Sequence, residues 1–149
     1  MNDLADIYDK IYRFCFYKVR NSFVAEDITQ ETFLKYFGQQ SKIRRGQDMA
    51  YLYTIAKNLC VDHFRRKQAL GLTEDYPAED FAEQREIKIA VRGALEKLDE
   101  RQREIIVLRY IGELSVNETA CAAGISRFAV YRLEKAALKE LKKLMEGVL

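Results

Sequence analysis

The chain has 149 residues, 48% hydrophobic and 32% charged, with a single proline and seven glycines. That suffices for one core or two small ones, and abundant Ala, Leu, Glu, Lys and Arg with little Pro or Gly point to an all-α protein. No apolar run approaches the roughly 18 residues that span a bilayer, and the start Met1-Asn2-Asp3-Leu4-Ala5-Asp6 lacks the basic-then-apolar order of a signal peptide. The expectation is a cytoplasmic protein without membrane insertion. Cys15, Cys60 and Cys121 are widely spaced and form no CxxC pair, so they read as buried reduced thiols, and the lone His63 has no second ligand nearby. No metal and no cofactor is expected.

The net charge of +2 hides an uneven layout. Residues 1–40 carry net −1, 41–68 net +5, 69–100 net −5 and 101–149 net +3. Two basic segments thus flank an acidic one, and basic surfaces attract phosphate backbones while acidic ones are repelled.

Leu4, Ile7, Tyr8, Ile11, Phe14, Cys15 and Val19 recur at helical spacing and predict an amphipathic helix over roughly 3–20. Ser22 is a candidate cap for a second helix with Ala25, Ile28, Phe33 and Phe37 inward. A polar, basic stretch from Gln39 to Gln47 breaks the pattern. Asp48 is a candidate cap for a third helix through Lys67, with Met49, Leu52, Ile55, Ala56, Leu59 and Phe64 inward. These three helices make a first domain over 1–67. Periodicity then vanishes from Gln68 to about Glu83, where Gly71, Pro77 and the pairs Glu74-Asp75 and Glu79-Asp80 read as a linker over 68–84. It resumes in a second domain over 85–149, first with Ile87, Val91, Ala94, Leu95 and Leu98, then with Ile105, Ile106 and Leu108 after a break at Asp99.

The strongest local signal lies between Ser115 and Leu133. Ser115-Val116-Asn117-Glu118 has the form of a capping box. Ala120 and Ala123 are small enough for two helices to approach closely. Gly124 falls where the first helix must end left-handed, Ile125 plugs the turn, and Ser126 can cap a second helix with Val130, Leu133 and Ala137 inward. Together these satisfy the packing requirement of a helix-turn-helix. The outward residues of its second helix are Arg127, Phe128, Tyr131, Arg132 and Lys135. Arginine can bind guanine bidentately or grip phosphate, and the aromatics can meet thymine methyls or stack.

With these motifs in place the sequence resembles the sigma-70 family in its small group IV, or extracytoplasmic-function, form. Ala25–Leu34 (AEDITQETFL) is similar to the family's region 2.2, and Ala50–Leu59 with Val61–Arg66 (VDHFRR) to regions 2.3 and 2.4. Leu98–Tyr110 is similar to region 4.1, and Ser126–Leu138 to the region 4.2 recognition helix. The resemblance implies two helical domains joined by an acidic linker: region 2 would bind core RNA polymerase and the −10 element, region 4 the −35 element.

The same resemblance assigns roles. Asp27, Gln30, Glu31, Phe33 and Leu34 would meet core polymerase at its β′ clamp helices, with the β flap a further contact of the chain. Lys42, Arg44, Arg45, Lys57, Asn58, His63, Arg65 and Arg66 would hold the −10 DNA, Asn58 near a flipped base and the cations on phosphates. Tyr51 and Tyr53 would stack on bases or fill core. Arg127, Phe128, Tyr131, Arg132 and Lys135 would face the −35 major groove. An anti-sigma protein is a compatible further partner. Tyr51 stands where the family commonly has tryptophan, Leu98-Asp99 where it has Leu-Pro, and Phe128 and Tyr131 are unusual outward residues.

No Walker loop, Ser/His/Asp set or metal-spaced ligands appear, so a binding subunit is expected and not an enzyme. Two alternatives use some of the same residues. A stand-alone helix-turn-helix regulator would bind duplex DNA tightly without polymerase. A polymerase-binding decoy need not retain the basic segment 41–68.

Overall fold

A computed structural model describes residues 3–72 and 85–147. The chain divides into two compact units, Met1–Glu79 and Asp80–Leu149. Most of the expected linker, from 73 to 84, lies outside the described residues.

In the first unit α1 (Leu4–Val19), α2 (Ser22–Gly38) and α3 (Asp48–Ala69) pack around one core, with a short 3-10 turn at Gln40–Lys42. Ile11, Phe14, Cys15 and Val19 come from α1, Ala25, Ile28 and Phe33 from α2, and Leu52, Tyr53, Ala56 and Leu59 from α3. Phe14 meets Tyr53 edge to face at 5.1 Å, an arrangement that contributes about 0.5–1.5 kcal/mol beyond simple burial. Two threonines are also fully buried. Thr29 and Thr32 donate to Ala25 O at 2.6 Å and Ile28 O at 2.7 Å, so neither hydroxyl is left unsatisfied in the core.

The ends of these helices differ from expectation in detail. Asn21, not Ser22, caps α2: its side chain accepts from Val24 N at 3.0 Å from an extended backbone, whereas Ser22 is already helical. Asp48 is the first helical residue of α3 and gives no cap bond. Its Oδ1 accepts from the Tyr36 hydroxyl at 2.9 Å, although its charge still suits the first turn. Helix α3 runs past Lys67 to Ala69, and Gly71 takes a left-handed turn (φ 71) that lets Leu72 N donate to Lys67 O.

The second unit holds α4 (Arg85–Lys97), α5 (Glu100–Ile106), a π-helical turn (Val107–Ile111), α6 (Val116–Ala123) and α7 (Arg127–Leu144). Asp99 breaks the pattern by capping α5, accepting from Gln102 N at 2.8 Å. Ile105, Ile106, Val107 and Leu108 are all buried. Four successive residues point to nearly every side of a helix, so this segment is packed all round. The helix widens within it, from Val107 on, with Gly112 N bonded back to Val107 O.

The capping box forms in both directions, Glu118 N to Ser115 Oγ at 3.1 Å and Ser115 N to Glu118 Oε1 at 2.8 Å. Gly124 adopts φ 70 and Ser126 Oγ accepts from Ala129 N. Ile105, Ala120 and Val130 form the helix-turn-helix core, with Val116, Ala123, Ile125 and Leu133 packed around it. Among the described residues no helix is long and apolar enough to cross a membrane, and no group of side chains could hold a metal ion.

Candidate nucleic-acid interface and partner face

Helix α2 presents an outward stripe. Asp27, Gln30, Glu31 and Leu34 are all exposed on it, Leu34 at 74%, and Phe23 and Phe37 are exposed too. Phe33 is different: it is only 7% exposed and stacks on Tyr8 at 5.3 Å. The two are consecutive residues set about 100° apart around the helix, so Phe33 supports this face from below while Leu34 offers it. Phe37, expected inward, stands half in solvent beside Phe33 and Tyr36. The base of α2 is tied to α1 by the Tyr8 hydroxyl, which donates to Glu26 Oε1 at 2.5 Å, while Gln30 Nε2 donates to the same oxygen at 3.2 Å. Burial, then the Glu26 carboxylate, pushes the Tyr8 phenol up to about 12.

Helix α3 presents a second face. Lys57, Asn58 and Arg65 are exposed within about 100° of the helix circumference, with exposed Thr54 before them and Val61 between them on the same face. Lys42, Arg44 and Arg45 are exposed on the loop before it, which turns at Gly46 (φ 83). Two tyrosines brace that loop: Tyr51 donates to Gln39 Oε1 and Tyr36 to Asp48 Oδ1. Burial raises the Tyr36 phenol. Tyr53 is core, so of the two tyrosines only Tyr51 reaches the surface.

His63 and Arg66 do not share that face. They line a groove of about 350 Å³ between α2 and α3, with Lys67 on the same helix and Asp27 and Glu31 across from them on α2; Val24, Ile28, Leu59 and the exposed Leu70 complete the lining. The positions expected to meet DNA and those expected to meet protein therefore adjoin here. The thiols of Cys15 and Cys60 are both buried in the core of this unit; the hydrogen bond between them, then burial, holds the Cys60 thiol well above its usual range, while the same bond lowers Cys15. Cys121, expected buried, is exposed on α6.

In the second unit Arg127, Phe128, Tyr131, Arg132 and Lys135 are all exposed along α7. The buried Val130 and Ala137 hold the opposite face against the core. Sequence patterning did not show what fixes the far side of α7. Arg109 bonds Glu134 at 2.9 Å through Nε and Leu114 O at 2.8 Å through a terminal nitrogen, clamping the π turn, the α6 entry and α7 together. Its partner Glu134 lies 25 positions along the chain, too far for any local signal.

Comparison with known proteins decides the family. The family model for sigma-70 region 2 matches residues 5–70, and that for sigma-70 region 4 matches residues 94–143. The chain belongs to the sigma-70 family. Its relatives place it among the ECF RNA polymerase sigma factors. It is 31% identical to sigma factor SigW of Bacillus subtilis over 95% of this chain and 89% of SigW. It is 30% identical to SigX of the same organism over 96% of this chain and 82% of SigX. Against BldN of Streptomyces coelicolor it is 32% identical over 92% of this chain, which spans 56% of BldN's length. Two solved structures share the fold: sigma factor RpoE of Bartonella quintana, in complex with the anti-sigma factor NepR (TM-score 0.67, 22% identity, 97% of this chain and 94% of that one), and CnrH, in complex with the cytosolic domain of CnrY (TM-score 0.69, 23% identity, 97% and 85%).

Proposed function

We propose that this ECF sigma factor divides promoter work between its two units in the cytoplasm, as a binding subunit of RNA polymerase and not as a catalyst. The first unit docks on core polymerase through α2 and holds the −10 element on α3; the second sets α7 in the −35 major groove. The observation that carries this reading is the match to region 2 and region 4 in one chain and in family order.

The chemistry of each face supports its role. Asp27, Gln30 and Glu31 with Leu34 suit a partner surface that is basic around an apolar contact, the role taken by the β′ clamp helices. Lys42, Arg44, Arg45, Lys57 and Arg65 supply phosphate contacts for a strand that has left the duplex, and Asn58 offers an amide to a base edge. Strand separation costs a few kcal/mol per unstacked step, so a face that recovers this on single-stranded DNA favours opening. The β flap is the expected contact of the second unit, and an anti-sigma protein could cover the α2 stripe.

Double substitution Asp27→Ala with Glu31→Ala tests the division. Assembly with core polymerase should weaken at least tenfold by competition binding, with helix content and thermal midpoint unchanged. Unchanged assembly contradicts the assignment of α2.

A further inference from the structure

We propose that Phe128 is a thymine reader: in the −35 contact its ring packs on the C5-methyl group of one thymine. This rests on the reading of α7 as the −35 recognition helix. Phe128 is 82% exposed, the most exposed large apolar side chain among the described residues. It is the second residue of α7, behind the Ser126 cap that fixes this turn through Ala129 N. The N-terminal residues of a recognition helix are those that reach base edges. Arg127, Arg132 and Lys135 surround it, so the occupant of this face is an anion, and duplex DNA supplies the charge.

A phenyl ring among base edges can neither donate nor accept a hydrogen bond. Setting it against an amine, N7 or carbonyl oxygen removes that group from water without compensation. The one apolar group that a base pair offers in the major groove is the thymine methyl. Phe128 therefore gains at thymine and loses at every other base. Tyr131, one turn on and 57% exposed, keeps a hydroxyl for a polar contact and lacks this strict selectivity.

The test uses holoenzyme assembled from this chain and core RNA polymerase, with promoter duplexes randomised across the −35 region. The wild-type pool should fix a thymine, and replacing it with deoxyuridine, which removes only the methyl, should weaken binding about fourfold, equivalent to about 0.8 kcal/mol for one buried methyl. Holoenzyme with Phe128→Ala should bind the thymine and uracil duplexes equally, and Phe128→Leu should retain the difference. A wild-type enzyme indifferent to uracil at every selected thymine overturns the proposal, as does Phe128→Ala paying the same uracil penalty. If no upstream element is selected at all, the reading of α7 falls with it. A selected element without a methyl-sensitive thymine leaves that reading standing and sinks only the proposal. Phe128 packs on nothing that the fold requires, and an unchanged thermal midpoint of the variant checks this.

Discussion

On α2, Phe33 and Leu34 are neighbours in different surroundings, the first packed on Tyr8 and the second in solvent. Their truncations should separate stability from partner binding. Phe33→Ala should lower unfolding free energy by about 3–5 kcal/mol, read by urea denaturation. Leu34→Ala should change it by less than about 0.5 kcal/mol while weakening core polymerase binding. Equal effects on stability contradict this placement. Tyr8 gives a pH test. Its phenol is raised from 10.0 to about 12 by burial and by Glu26, so the protonated form favours the fold. That contribution is complete below pH 10 and is lost as pH rises through about 12. The phenolate absorbance of wild type minus Tyr8→Phe should titrate near 12; a midpoint at 10 contradicts the Glu26 bond. Residue type alone did not resolve this scale. The family resemblance set His63 and Arg66 with the DNA-facing residues; a helix turns 100° per residue, and the two line the groove beside Asp27 and Glu31, off the face that Lys57, Asn58 and Arg65 share. Phe37 fits the spacing of an inward residue and stands outside, because burial depends on what the neighbouring helices cover, which spacing does not encode.

The helix boundaries of the second unit were the most legible elements. A capping box, a break at Asp99 and a glycine at the turn each work within four residues, and all three form as the local chemistry dictates. Gly124→Ala tests the turn. A Cβ there would meet nothing within 4 Å, so the loss is the backbone strain of φ 70 alone. That is about 1 kcal/mol, and Ser115→Ala should lose a similar amount, about 1 kcal/mol, through the cap. Urea unfolding of the full chain measures both; a loss above about 3 kcal/mol at Gly124 would reveal a packing role and contradict the open space around it. The π turn and the Arg109 clamp were not legible. Arg109 meets Glu134 25 positions along the chain, and only the folded unit brings them together. The Asn21 cap was misplaced by one residue because Asn21 and Ser22 are equally good caps on paper and only the extended backbone at Asn21 decides.

At the scale of the whole molecule, composition gave the all-α class and the charge layout gave two basic segments, but neither names a partner. A helix-turn-helix by itself fits any DNA-binding regulator. What separates a sigma factor from a stand-alone regulator is the first unit, with an acidic and apolar α2 beside a basic α3, and its match to region 2 ahead of region 4. The central claim is therefore promoter selection by a shared enzyme. The most direct measurement is transcription in vitro with core RNA polymerase on fragmented genomic DNA of the source organism, with and without this protein, sequencing the 5′ ends of the transcripts. The account predicts new start sites that appear only with the protein and share two upstream elements at fixed spacing. Start sites identical to those of core enzyme alone, in a preparation where the protein is bound to the polymerase, would contradict it.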